Sequence, residues 1–179
     1  MAVDFSWSQF LWIVFVFVAV RSAFWAVLLW ARFSRQRDRA GTGSLGLWAT
    51  GSIAVAGGFV SCAAWLTWSG DYRGEFRGPG LPAPNEFPSW QVAGCGATVV
   101  LLCLLAARLS RWVQSGGHVA ALGTTAGFAT EFCIDASTDV TGQSGVGVIL
   151  CMMGWGTGLT LLMLVRNTLV KRKRPTAHP

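Results

Sequence analysis

The sequence predicts an all-α polytopic membrane bundle of five transmembrane helices, with the N-terminus outside and the C-terminus cytoplasmic. Three observations predict it. The chain of 179 residues is 53% hydrophobic and 12% charged, half the charged share of about 25% usual in a soluble domain. Its apolar residues gather into five long runs, and mean hydropathy is +0.49. Its basic residues collect in alternate connections between those runs.

The runs extend from Gln9 to Ala31, Leu45 to Ser69, Trp90 to Ala107, Val119 to Ser137 and Ser144 to Val165. Each is about 18 to 25 residues, enough to cross a hydrocarbon core of roughly 30 Å as a helix. In lipid the backbone must satisfy its own hydrogen bonds, which requires helix. The first run is interrupted by Arg21, and the fourth contains Glu131 and Asp135. Trp7, Trp12, Trp30, Trp65, Trp68 and Trp90 fall at the ends of the first three runs, where an indole ring with one N–H favours the interface. The five runs form one transmembrane domain over residues 1–170.

The net charge of +6 is distributed by side. Arg32, Arg35, Arg37 and Arg39 follow the first run, Arg108 and Arg111 the third, and Arg166, Lys171, Arg172, Lys173 and Arg174 the fifth; the only acid among them is Asp38. The opposite regions hold Asp4, Asp71, Glu75, Glu86, Asp135 and Asp139 against Arg73 and Arg77. This is the positive-inside pattern, which implies a multi-pass protein of the inner cell membrane. Met1 to Val20 lacks Lys and Arg, so the first run is expected to be an uncleaved span rather than a signal peptide. An Arg-rich, Ala- and Gly-rich composition hints at a high-GC bacterial source.

The extracytoplasmic connection over residues 70–89 is rich in Pro and Gly, and Pro79, Pro82, Pro84 and Pro88 forbid a long helix or a central strand there. It is expected to tether two antiparallel helices. The basic segment 166–179 is expected to be a cytoplasmic tail at the membrane surface, attracted to anionic lipid. It lacks interleaved aromatics, so a nucleic-acid partner is not expected.

Glu131, Asp135 and Asp139 recur every fourth residue, which stacks them on one helix face. A carboxylate at the centre of a membrane helix costs roughly 2.5 to 3.5 kcal/mol on insertion scales. Such groups mark pairing, proton or ion handling, or a substrate site. Arg21 lies near mid-depth of the first run, and its expected partner is Glu131, with Asp135 second. The fourth run is weakly apolar, with Thr124, Gly127, Glu131, Asp135 and Thr138 at three- and four-residue steps. It is expected to be enclosed by its neighbours or to line a hydrated path. His118 is expected at the cytoplasmic interface.

Gly154-x-x-x-Gly158 is a small-x-x-x-small pattern for helix contact; it is read first as packing within the monomer and second as a homo-oligomer contact. Ala54-x-x-x-Gly58 and Gly94-x-x-x-Thr98 are weaker cases. Cys62, Cys95, Cys103, Cys133 and Cys151 all fall inside runs, with no Cys-x-x-Cys, and read as small apolar fillers. No phosphate loop, Gly-x-Ser-x-Gly elbow or His-Glu-x-x-His is present. No catalytic residue, metal ligand or cofactor is therefore assigned, and the chain leans away from an enzyme. The functional expectation is an ion- or proton-handling channel or transport component that uses Glu131, Asp135, Asp139 and Arg21. The alternative is a non-catalytic subunit or assembly factor of a larger membrane complex, and a weaker one is a lipid-modifying membrane enzyme. The bilayer, a second copy or a larger complex are the partners implied.

Overall fold

The computed structural model describes residues 7–33, 40–41, 43–67, 87–136 and 144–172. Within them the chain is helical. Helix α1 (Trp7–Ile13) runs through a π-helical segment (Val14–Ala19) into α2 (Val20–Phe33). Then follow α3 (Leu47–Leu66), α4 (Ser89–Leu109), α5 (Val113–Ala136) and α6 (Ser144–Arg172). Four helical stretches, Phe10–Val27, Leu47–Leu66, Ser89–Leu109 and Val146–Val170, are long and apolar enough to cross a membrane.

The fourth run expected from the sequence is α5. It is long enough, but it is not among the four stretches apolar enough on their own. Its surroundings explain the difference. Helix α5 packs most extensively on α3, then on α6 and α4, and also touches α1, the π segment and α2. Ala120, Ala121, Thr124, Phe128, Ala129 and Cys133 along it are all buried. A helix sheathed by other helices needs no lipid-compatible exterior. Of the two expected settings for this run, the structure shows enclosure.

Glycine sets the closeness of the central crossing. A Cβ added at Gly58 of α3 would overlap the Thr124 carbonyl of α5, and one at Gly127 would overlap the Val55 carbonyl. A Cβ at Gly123 would lie 2.8 Å from the Gly51 carbonyl oxygen. Pairing 51 with 123, 55 with 127 and 62 with 131 means that α3 and α5 run parallel. Helix α4 is antiparallel to α3, since Gly57 faces Leu102 while Trp65 donates to Thr98 Oγ1 at 3.1 Å. Helix α6 is antiparallel to α5, with Gly117 against Met163 and Gly147 against Phe132.

One end of the bundle is pinned by backbone. Gly41 N donates to Arg111 O at 2.6 Å, Leu45 N to Leu109 O at 3.0 Å and Arg111 N to Leu45 O at 2.8 Å. The α4–α5 corner turns at Ser110, whose extended ψ of 140° ends α4 and whose Oγ accepts from Trp112 N at 3.3 Å. Gly116 leaves the space that the Ser110 side chain occupies. Arg166 of α6 reaches the same corner and donates to Ala107 O at 3.3 Å and Val113 O at 3.4 Å. The basic segment expected to begin a tail at residue 166 is therefore helical through Arg172.

Two apolar clusters form the core. The larger joins Ala54, Cys62, Cys95, Val99, Cys103, Phe128, Leu159 and Met163. The smaller joins Val18 of the π segment to Ala129, Cys133, Val148 and Met152. A π turn widens the helix by one residue per turn, and here it carries Val18 to α5 and α6.

Candidate functional site

The buried polar side chains of the bundle are almost all satisfied, as packed interiors require. Thr50 donates to Gly46 O at 3.0 Å, Ser61 to Gly57 O at 2.7 Å and Thr125 to Ala121 O at 2.8 Å. Gln91 donates to the Trp65 carbonyl. His118 Nδ1 lies 2.8 Å from Gln114 O, and because a carbonyl only accepts, Nδ1 carries the proton. His118 is 6% exposed, so it is packed among neighbouring side chains near the start of α5.

Two buried side-chain oxygens among the described residues meet no hydrogen-bond geometry, Glu131 Oε2 and Thr124 Oγ1; the Cys103 thiol of α4 lies within interaction range of Thr124. Both oxygens lie on α5, seven residues apart, which is two turns and about 10 Å along one face. Glu131 is 5% exposed and Thr124 fully buried. An unsatisfied buried polar atom costs about 1 to 3 kcal/mol, and such an exception in a well-packed core calls for an account.

Glu131 has a close polar neighbour in the Cys62 thiol of α3, which lies within interaction range of the carboxyl. Cys95 of α4 lies within electrostatic range of the same carboxyl, and Cys151 of α6 within range of Cys62 and Cys95. The cysteines expected to be fillers do fill the core, and all five are free thiols. One of them, Cys62, also has a polar task that the sequence reading missed. The available signal was its register: Cys62 follows Gly58 by four residues, and Glu131 follows Gly127 by four. Among the described residues no three of His, Cys, Asp and Glu are placed to share a metal ion.

The expected pair of Arg21 and Glu131 does not form. Arg21 is exposed on α2, while Glu131 is enclosed between α3 and α5 with Oε2 unpartnered. Mid-depth alone suggested the pair, and an expected depth does not say which side chains are buried together. The side chain of Asp135, and all of Asp139, lie outside the described residues, so the outer part of the acidic ladder does too.

The glycine pattern is corrected as well. Gly154 and Gly158 are exposed, and a Cβ added at either meets nothing within 4 Å. Among the described residues they face open space rather than a neighbouring helix. They border an open apolar groove of about 620 Å³ with Val100, Cys151, Trp155 and Leu162. The contact pattern that the fold uses is Gly123-x-x-x-Gly127 against Ala54-x-x-x-Gly58.

Comparison with protein-family models, curated proteins and solved structures finds no match to this chain. The functional argument therefore rests on the geometry around α5.

Proposed function

We propose that this chain is a multi-pass membrane component in which Glu131 binds and releases a proton. The observation that carries the reading is the buried carboxyl with one oxygen unpartnered beside the Cys62 thiol. A carboxyl in that setting can exchange a proton at Oε2 without rearranging a ligand shell. A hard cation needs six or more oxygen ligands, and the groups placed around Glu131 are thiols and apolar side chains. This favours protons over metal cations within the wider class of ion transport. Asp135 and Asp139 would extend the route outward, because the spacing of four continues the same face.

The proposed topology has five crossings, the N-terminus outside and the C-terminus in the cytoplasm of a bacterial inner membrane. Its support is that α5 runs beside α3, α4 and α6 over its length and is joined to α4 by a three-residue corner, so it traverses the same slab as its neighbours. The grouped basic residues favour the orientation. Single cysteines introduced in the 70–89 connection and in the tail of a background lacking the native five should label from opposite faces of sealed vesicles; labelling from one face contradicts the topology.

Wild-type protein in sealed liposomes with an internal pH dye should carry protons down an imposed gradient. Glu131→Gln, which keeps the shape and removes the titrating group, should abolish that flux with unchanged melting in detergent. Wild-type flux no greater than in empty liposomes rejects the stand-alone proton pathway.

A second reading, a subunit of a larger membrane complex, is favoured by a separate observation. Among the described residues, Arg21 and a long apolar face of the first helix are exposed.

A further inference from the structure

We infer that the Val20–Val27 part of α2, centred on Arg21, docks a transmembrane helix of another protein that carries an Asp or Glu at matching depth. The inference rests on the subunit reading and is independent of proton exchange at Glu131.

No side chain from Val20 to Val27 is buried. Val18, in the π segment just before it, does enter the core. Phe24 is 60% exposed and Trp25 49%, and both lie one turn beyond Arg21, where they flank it. This is a half-helix of large apolar side chains with a cation in its midst.

Arg21 has no partner among the described residues, and it lies within the apolar stretch Phe10–Val27, six residues from its C-terminal end. Six residues are about 9 Å of helix. Snorkelling would have to carry the guanidinium toward that nearer end. Helical side chains lean toward the N-terminus instead, which directs Arg21 toward the middle of the stretch. A guanidinium held there demands a counter-charge at the same depth, and its planar fork suits a carboxylate bidentately.

A second copy of this chain does not supply that carboxylate from the described residues, because Glu131 is enclosed by α3 and α5 and open to no outside helix. Two copies meeting through this face would also bring two Arg21 side chains together. Two like charges meeting across a symmetric contact, and the enclosure of Glu131, the one acid whose side chain is described, lead us to assign this face to a different protein with an acidic residue inside an apolar span.

The test places a photoreactive benzoylphenylalanine at Phe24, and separately at Trp25, of the full chain in its native cells. Irradiated membranes are then analysed by mass spectrometry. The expected adduct is to one membrane protein, through a helix with an Asp or Glu in its apolar span. Arg21→Glu should cut that adduct about tenfold or more, Arg21→Lys should retain most of it, and converting the partner carboxylate to Arg should restore it in the Arg21→Glu background. Arg21→Leu should melt in detergent as the wild type does, since Arg21 is exposed and has no ion-pair partner among the described residues, and should lose the adduct. An adduct to a helix without a carboxylate, or one unaffected by Arg21→Glu and Arg21→Leu, overturns the inference while leaving the subunit reading intact. Adducts to lipid alone, or to a second copy alone, overturn both.

Discussion

The Cys62 thiol of α3 lies beside the Glu131 carboxyl of α5, across two helices that run side by side in one direction. The contact exists because Gly58 and Gly127, one turn before each partner, let the two backbones touch. A buried acid is thus tied to a buried thiol by the closest crossing in the bundle.

Removing the thiol should expose the cost of leaving the acid alone. Cys62→Val is expected to destabilise by about 1 to 3 kcal/mol, because the carboxyl loses its close polar partner. Adding Glu131→Leu should recover part of that loss, with a coupling of about 0.5 to 3 kcal/mol between the sites. Thermal unfolding in detergent measures both. Strictly additive single and double variants would mean that the two side chains do not interact.

The glycine crossing predicts a sharp positional contrast. Gly58→Ala and Gly127→Ala each drive a Cβ into a backbone carbonyl that cannot rotate away, and each should cost about 1 to 3 kcal/mol or more. Gly154→Ala and Gly158→Ala meet open space and should stay within about 0.5 kcal/mol of wild type in the isolated monomer. Equal melting temperatures across the four variants would contradict the packing described for α3 and α5.

Thiol chemistry reads the same arrangement from outside. Cys62, Cys95, Cys103 and Cys133 are buried, whereas Cys151 is half-buried at the wall of the apolar groove. Buried structural cysteines are inert. A membrane-permeant maleimide should therefore modify native protein at Cys151 first, and at all five positions only after unfolding. Peptide mass spectrometry locates the adducts, and rapid native labelling of Cys62 would place it outside the core.

Arg166 joins α6 to the α4–α5 corner through the Ala107 and Val113 carbonyls. At 3.3 and 3.4 Å these bonds are long, so Arg166→Ala should cost about 1 kcal/mol, at the low end for bonds to a charged donor. Arg166→Lys, with one compact ammonium in place of a fork, should recover part of the loss. Proteolysis at the Ser110–Trp112 corner is the local readout, and an unchanged cleavage rate in Arg166→Ala would show that the tie does not hold the corner.

The helices themselves were legible in the sequence. The runs Leu45–Ser69, Trp90–Ala107 and Ser144–Val165 correspond to α3, α4 and α6 with shifts of a few residues at most ends. Hydropathy over about 20 residues is a property of local composition, and the bilayer requirement for helix acts on each run separately. The weak apolarity of the Val119–Ser137 run was also legible as a sign of enclosure, and so was the exceptional standing of Glu131. The far end of α6 was not: a basic segment reads as a tail by charge, yet Arg166 continues the helix because it finds carbonyl partners on α4 and α5.

Composition and spacing by themselves determined that this chain makes long apolar helices, that one of them is too polar for lipid, and that Arg21 and Glu131 stand in apolar surroundings. Tertiary structure alone decided which way those groups face. Arg21, expected at the depth of Glu131, is exposed while Glu131 is enclosed, and Gly123-x-x-x-Gly127 is used while Gly154-x-x-x-Gly158 is left open. The reason is that depth follows from position along one helix, whereas direction depends on how each helix is rotated against its neighbours. That rotation is set by where two backbones can approach, which is a property of pairs of helices and is written in neither sequence segment taken singly.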